Sequence, residues 1–274
     1  MLTYLKQLAG ETVIYGIANI LSKSIAILLL PIYAAEFSPG EFGRISIITT
    51  TVSIFTILAV MGLDNSAHRW FWDSEDESFR KRVISSWFWS QLIIAIVLGL
   101  VLFAFSSLYL DIVLKNAVST DVIFIALLCI PLTTFSKILT GWLRMQRRPL
   151  PTILFALLFT STNLVMAIIL VKYLKLGLVG VFAAQVVGAA MGGIFSVLLL
   201  KDWINPKHFS FTILKPMLIY GMPLVPGGIA LWISASSDRY FLQFLSTPEE
   251  LGLYSFGAMI AAVVGIVVSA FQMA

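Results

Sequence analysis

Four polar residues near the start of the chain, Glu11, Tyr15, Asn19 and Lys23, recur at four-residue spacing within an otherwise apolar run. On a helix that spacing places all four on one face. A lysine midway across a bilayer costs roughly 2.5 to 3.5 kcal/mol on insertion scales, so Lys23 has to face protein or a water-filled cavity. Its ammonium could there face a ligand, with Asn19 a candidate for the cavity lining. The alternative is an internal partner, either Glu11 or backbone carbonyls.

Three further groups carry potential chemistry. Lys137, Thr140, Gly141 and Arg144 lie along one side of a later apolar run, and Lys137 either meets a ligand or snorkels to the headgroups. Thr160, Ser161, Thr162 and Asn163 form a polar cluster whose commoner use is hydrogen bonding across a helix interface, with cavity lining as the other option. Asp238 and Arg239 are adjacent and point about 100° apart on a helix, so each is expected to find its partner on another element. Asp64 and Asp238 are further charged candidates, each explained as well by ordinary inner-loop or interhelical salt bridging. Pro223, Pro226, Gly227 and Gly228 remove backbone donors and ease bending, which predicts a kinked helix at that point.

The familiar catalytic constellations are missing from the sequence. His68 and His208 have no second ligand at metal spacing, and no glycine-rich phosphate loop of the ATPase type occurs. The lone Cys129 excludes an intramolecular disulfide. No cofactor is implied, and the expectation is a protein that is not an enzyme.

The elements that must position these residues are membrane helices. The chain is 59% hydrophobic and 12% charged, with a mean hydropathy of +0.96, whereas soluble domains carry about 25% charged residues. Apolar runs of roughly 20 residues are long enough to cross about 30 Å of hydrocarbon as helices. The predicted fold is an all-α, polytopic integral membrane bundle of about eight transmembrane helices. The spans are Thr12 to Tyr33, Arg44 to Gly62, Val83 to Ser106, Asp121 to Trp142, Thr152 to Val171, Gly177 to Leu200, Pro216 to Leu245 and Leu251 to Met273. The longest connection, Leu63 to Arg82, reads as a solvated turn with a basic anchor at Phe79 to Arg82. Gly177, Gly180, Gly188, Gly192 and Gly193 read as positions of close helix packing. The net charge of +4 is carried by loop residues, which argues against nucleic acid. Their bias toward alternate loops predicts a cytoplasmic N-terminus in a multi-pass membrane protein.

An internal repeat organises the spans. IYG occurs at Ile14 to Gly16 and again at Ile219 to Gly221, and SPGEFG at Ser38 to Gly43 is echoed by TPEELG at Thr247 to Gly252. Pro39, Glu41 and Gly43 match Pro248, Glu250 and Gly252 at a constant offset of 209 residues. Six spans lie between the copies, so both run the same way and are related by an axis along the membrane normal. Residues 1–209 are therefore expected to form a six-helix lobe. Residues 210–274 are expected to form the first two helices of a second lobe, as in the front part of a longer protein.

The sequence resembles the polysaccharide flippases of the multidrug/oligosaccharidyl-lipid/polysaccharide exporter superfamily, of the O-antigen and capsule type. The resemblance rests on YGMPLVPGGIALWISASSDRYFLQFL at Tyr220 to Leu245, TPEELGLYSFG at Thr247 to Gly257, the stretch from Ile14 to Gly43, and MGLDNSAHRWF at Met61 to Phe71. It implies a two-lobed transporter that moves a polyprenyl-diphosphate-linked oligosaccharide between leaflets by alternating access. Lys23, Lys137 and Arg239 would then bind the diphosphate, with membrane lipids and polysaccharide assembly proteins as further partners. The rivals are a cation-coupled drug antiporter of the same architecture, which would favour deep acidic residues, and a membrane-embedded glycan polymerase or transferase, which would need clustered catalytic groups and a large outer loop.

Overall fold

The computed structural model describes residues 25 and 27–272, with side chains to residue 262. The described residues are helical and contain no strand. Helix α1 is Leu29–Glu36, α2 Pro39–Val60, α3 Leu63–Trp72, α4 Glu77–Ala104, α5 Ser106–Ile112 and α6 Thr120–Met145. Then follow α7 (Pro149–Ala167, extended by a π-helical turn at Ile168–Tyr173), α8 (Gly177–Leu200), α9 (Phe211–Gly221), α10 (Val225–Leu245) and α11 (Pro248–Gln272). Six helical stretches among the described residues are long and apolar enough to cross a membrane: Pro39–Trp72, Glu77–Ala104, Thr120–Met145, Pro149–Tyr173, Gly177–Leu200 and Phe211–Leu245. They correspond to the second to seventh spans read from the sequence, and the eighth span falls on α11. The first lies largely outside the described residues, with Glu11, Tyr15, Asn19 and Lys23.

Local chemistry sets where these helices begin. Ser38 and Glu41 form a capping box at the start of α2, with Ser38 N donating to Glu41 Oε2 at 2.9 Å and Glu41 N to Ser38 Oγ at 3.4 Å. Pro39 occupies the first turn, where a missing N–H costs nothing. Asp76 caps α4 by accepting from Ser78 N and Phe79 N at 3.0 and 3.2 Å. The Ser78 hydroxyl, which also donates to it, and then these backbone bonds hold the Asp76 carboxyl below the usual carboxylate range.

The segment from Leu63 to Arg82 is not the solvated turn read from its charges. Leu63, Ser66, Ala67 and Phe71 recur at helical spacing and are buried on one face of α3. Arg80 reaches back to donate through Nε to the carbonyls of Phe71 and Ser74 at 3.1 and 2.8 Å, closing the C-terminus of α3. Between α2 and α3 the chain turns at Met61 and Gly62, both left-handed, with φ of 48° and 67°. A Cβ on Gly62 would overlap the Gly221 carbonyl oxygen. This break therefore lies directly against the end of α9.

A second break, at Met222–Leu224, falls at the start of the stretch Pro223 to Gly228 that was read as a kink. Pro223 cannot donate to Ile219 O, and the chain passes through a 3₁₀ turn at Met222–Leu224 before α10 begins. Ser66 Oγ donates to Met217 O at 2.7 Å and fastens the two interrupted helices together.

Two apolar cores fill the bundle. One gathers Ile47, Ile48, Ile123, Ile130, Phe182 and Leu251. The other gathers Leu63, Phe71, Ile84, Trp87, Ile138 and Met217. Leu100, Leu154 and Leu231 are among many exposed apolar side chains, as a lipid-facing surface requires. In lipid, close helix contact depends on small residues. Gly141 fits this, because a Cβ there would stand 2.6 Å from Trp87 Cη2. So does Gly192, whose Cβ would overlap Ser136 Oγ, but Gly177, also read as a packing position, has no atom within 4 Å of a built Cβ and instead takes the left-handed turn into α8 with φ of 58°.

Basic residues gather at one end of the bundle. Arg80 stacks on Phe71 and Trp72, Arg147 stacks on Trp72, and Arg69 lies over Trp70 and Tyr220. The opposite end carries the start of α2 and of α11 and the end of α10.

Candidate functional site

A cavity of about 740 Å³ opens between α2, α6, α7, α8, α10 and α11, bounded also by Leu29 and Tyr33 of α1. Its polar lining is made of hydroxyls and carboxamides: Ser46, Thr49, Thr50 and Ser53 from α2, Thr133 from α6, Thr160 and Asn163 from α7, Gln185 from α8, and Ser236 and Ser255 from α10 and α11. Arg239 is the one charged side chain among the described residues lining it. Phe42 and Phe159 contribute aromatic surface.

The helical hydroxyls need not give up their own bonds to be there. Thr50 donates to Ser46 O at 2.8 Å, Ser53 to Thr50 O at 2.7 Å and Thr160 to Ala156 O at 2.9 Å. Each hydroxyl oxygen keeps its lone pairs as acceptors facing the cavity side of its helix. Of the cluster at Thr160 to Asn163, Thr160 and Asn163 line the cavity, whereas Ser161 and Thr162 are not part of its lining. Asn163 also backs onto α8, where Gly188 lets the helices approach: a Cβ on Gly188 would stand 3.5 Å from Asn163 Cβ.

Arg239 is positioned by its own helix. Its Nη1 donates to Ala235 O at 3.1 Å and lies 3.5 Å from Asp238 Oδ1, while its backbone N donates to the same carboxylate oxygen at 2.8 Å. The adjacent pair does meet, contrary to the separation inferred from helix geometry, because the aspartate folds back onto the next residue's N–H. Asp238 has an interhelical partner as well, accepting a hydrogen bond from the Tyr254 hydroxyl of α11.

A second polar island lies toward the basic end. Asp64 Oδ1, at the start of α3, accepts from Trp87 Nε1 at 3.2 Å and from Gln91 Nε2 at 3.4 Å. His68 Nδ1 stands 2.8 Å from Asp64 O, and since a carbonyl only accepts, that nitrogen carries the proton. Lys137 of α6 lies within electrostatic reach of Asp64. Cys129, Thr133 and Lys137 follow at four-residue steps along α6, so one helix face runs from the cavity to this island.

The structure therefore brings Arg239 and Asn163 to one cavity, and Asp64 and Lys137 to one neighbouring island. Asp238 sits behind Arg239, and Pro223, Pro226, Gly227 and Gly228 lie at and just beyond the break below α10. Asn19 and Lys23 fall outside the described residues. Sequence reading missed Ser46, Thr133, Gln185, Trp87 and Gln91. Gln91 and Gln185 are carboxamides inside apolar runs, and that isolation was the signal available.

Comparison with known proteins gives a consistent picture. Residues 8–274 match the family model described as polysaccharide biosynthesis protein. A protein of the Lsg locus of Haemophilus influenzae is 23% identical over 269 residues, covering 96% of this chain and 64% of that protein. An uncharacterised membrane protein of the same organism is 23% identical over 273 residues, covering 97% of this chain and 64% of its own length. The chain thus spans about 64% of these curated relatives. Among solved structures, the fold resembles the inward-facing conformation of a multidrug resistance MATE family transporter of the MOP superfamily, with a TM-score of 0.70 at 17% identity over 92% of this chain and 60% of that one. An outward-facing conformation of such a transporter gives 0.66 at 16% identity over 97% and 69%.

Proposed function

We propose, given that this chain belongs to the polysaccharide biosynthesis protein family and has the fold of a membrane transporter, that it forms part of a flippase for a polyprenyl-diphosphate-linked oligosaccharide. The observation that carries this reading is the cavity lining, in which many hydroxyls and carboxamides surround a single guanidinium. A sugar headgroup presents hydroxyl donors and acceptors in every direction, and such a lining replaces the water it leaves. Arg239 supplies the charge a diphosphate requires. The prenyl tail stays in lipid, so only the polar headgroup needs a protected path across about 30 Å of hydrocarbon.

Residues 1–209 and 210–274 are assigned to two lobes, with transport arising as the lobes rock around the cavity. Lys137 is assigned to the diphosphate path, one helix face beyond Thr133, with Asp64 as its resting partner, and Lys23 to the same path from the first span. Asn19 and Asn163 are assigned to the cavity wall, and Asp64 and Asp238 to coupling. The basic end is assigned to the cytoplasm, which places the N-terminus there, in the plasma membrane of a polysaccharide-producing cell. Membrane lipids and polysaccharide assembly proteins complete the proposed partners.

Reconstitution of the full-length protein in liposomes tests the reading through the leaflet exposure of a fluorescent polyprenyl-diphosphate oligosaccharide. Loss of flipping in Lys137→Ala and Arg239→Ala supports the assignment. The second reading, a drug antiporter, is favoured by the fold shared with multidrug transporters. Binding of small organic cations without flipping would establish it instead.

A further inference from the structure

The two copies of the repeat motif meet each other in space, and they do so reciprocally. A Cβ on Gly43 would overlap the carbonyl oxygen of Pro248, and a Cβ on Gly252 would overlap the carbonyl oxygen of Pro39. Gly43 and Gly252 are equivalent under the 209-residue offset, and so are Pro39 and Pro248. Gly40 faces Glu249, its own equivalent, with a built Cβ 2.8 Å from Glu249 Oε1. Contacts in which i meets j and j meets i are those of a two-fold axis. The caps match too, since Glu250 N donates to Thr247 Oγ1 at 3.3 Å as Glu41 N does to Ser38 Oγ.

The cavity begins immediately inside this contact. Phe42 and Ser46 flank Gly43 along α2, and Ser255 lies one turn beyond Gly252 on α11. Bonds from α10 tie it to α2 from mid-helix up to this end and to the chain just after α5. The Tyr240 hydroxyl lies 2.6 Å from Thr51 Oγ1, Trp232 Nε1 donates to Ser53 Oγ at 2.8 Å, and Gln243 Nε2 donates to Val113 O. Thr51 donates to Ile47 O at 2.9 Å, so its oxygen serves as acceptor for both Tyr240 and Tyr109.

We infer that this glycine contact is a clasp that closes the non-basic end of the cavity and must part when the cavity opens there. The clasp suits repeated opening because it is backbone against backbone. At the glycines themselves backbone meets backbone, so closing admits no extra methyl, and beside them Phe42 and Phe256 meet edge to face at 5.8 Å. The inference rests on the alternating-access reading only insofar as the cavity opens toward this end.

Accessibility tests the clasp without any substrate. In a full-length Cys129→Ala background, Ser46→Cys is labelled by a membrane-impermeant maleimide added from the clasp side. Adding Gly43→Ala or Gly252→Ala is expected to raise the labelling rate by about tenfold, the shift produced by about 1.4 kcal/mol. Unchanged labelling in folded variants would overturn the clasp.

A cross-link provides the second test. A Cβ on Gly40 would stand 3.8 Å from Pro248 Cβ, close to the mean Cβ separation of a disulfide, about 3.8 Å. Gly40→Cys with Pro248→Cys is therefore expected to cross-link on mild oxidation, block flipping, and release it on reduction. Complete cross-linking with undiminished flipping would also overturn the clasp. If labelling responds as expected and no polyprenyl-diphosphate oligosaccharide is flipped by the uncross-linked protein, the clasp stands and the substrate assignment falls.

Discussion

Arg239 and Asp64 illustrate opposite ways of keeping a charge inside a membrane protein. Arg239 turns Nη1 to Ala235 O and Asp238 while its side chain lines the cavity. A charge-assisted bond to phosphate is worth roughly 1.5 to 3 kcal/mol. Arg239→Ala is thus expected to weaken binding of the diphosphate-linked headgroup by about ten- to a hundredfold, with Arg239→Lys retaining part of it, as read by titration of the purified protein. Equal affinities across the three would remove the guanidinium from the site. Asp64 is an internal acceptor for Trp87 and Gln91. Asp64→Leu leaves two donors unpaired at about 1 to 3 kcal/mol each, whereas Asp64→Asn keeps a carbonyl oxygen for them. Thermal unfolding in detergent should show a markedly lower Tm for the leucine variant than for the asparagine variant. Identical midpoints would mean those bonds carry no stability.

Among the elements, the interrupted helices hold the most testable geometry. Gly62 combines a left-handed backbone with direct approach to Gly221, so Gly62→Ala faces both conformational strain and overlap. Its expected cost is about 1 to 3 kcal/mol, visible as a lowered Tm. Gly227→Ala, where no atom lies within 4 Å of the built Cβ, serves as the control and should change little. The Asp76 cap of α4 has a pH signature. Its carboxyl is held below the ordinary value of 3.8 in the fold. Its contribution is therefore present above pH 3.8 and fades as the pH falls below that value through the lowered folded pKa. Asp76→Ala should lower Tm at neutral pH, and the gap to the unchanged protein should shrink in strong acid. A gap independent of pH would show that Asp76 acts by something other than its charge.

For the molecule as a whole, hydropathy made the spans legible, because an apolar run of roughly 20 residues has few other uses. Gly177–Leu200 begins and ends where it was read. The break at Pro223 was legible from the chemistry of proline itself. The helix at Leu63–Trp72 was not read as one, because Asp64, His68 and Arg69 gave it the composition of a loop. Its period at Leu63, Ser66, Ala67 and Phe71 was there to be seen. The cavity was less legible still. Ser46, Thr133, Gln185 and Ser255 come from four helices, and nothing in the local sequence of any one of them says that they converge. The repeat offset, in contrast, pointed at residues that prove to touch, since a two-fold axis brings equivalent positions near it together.

The central claim is transport of a lipid-linked glycan, and the most direct measurement is the rate at which full-length protein in liposomes exposes a fluorescent polyprenyl-diphosphate oligosaccharide to the opposite leaflet. A flippase raises that rate well above protein-free liposomes, and Arg239→Ala brings it back toward them. A rate equal to that of protein-free liposomes, with folded protein present and small organic cations bound instead, would contradict the claim.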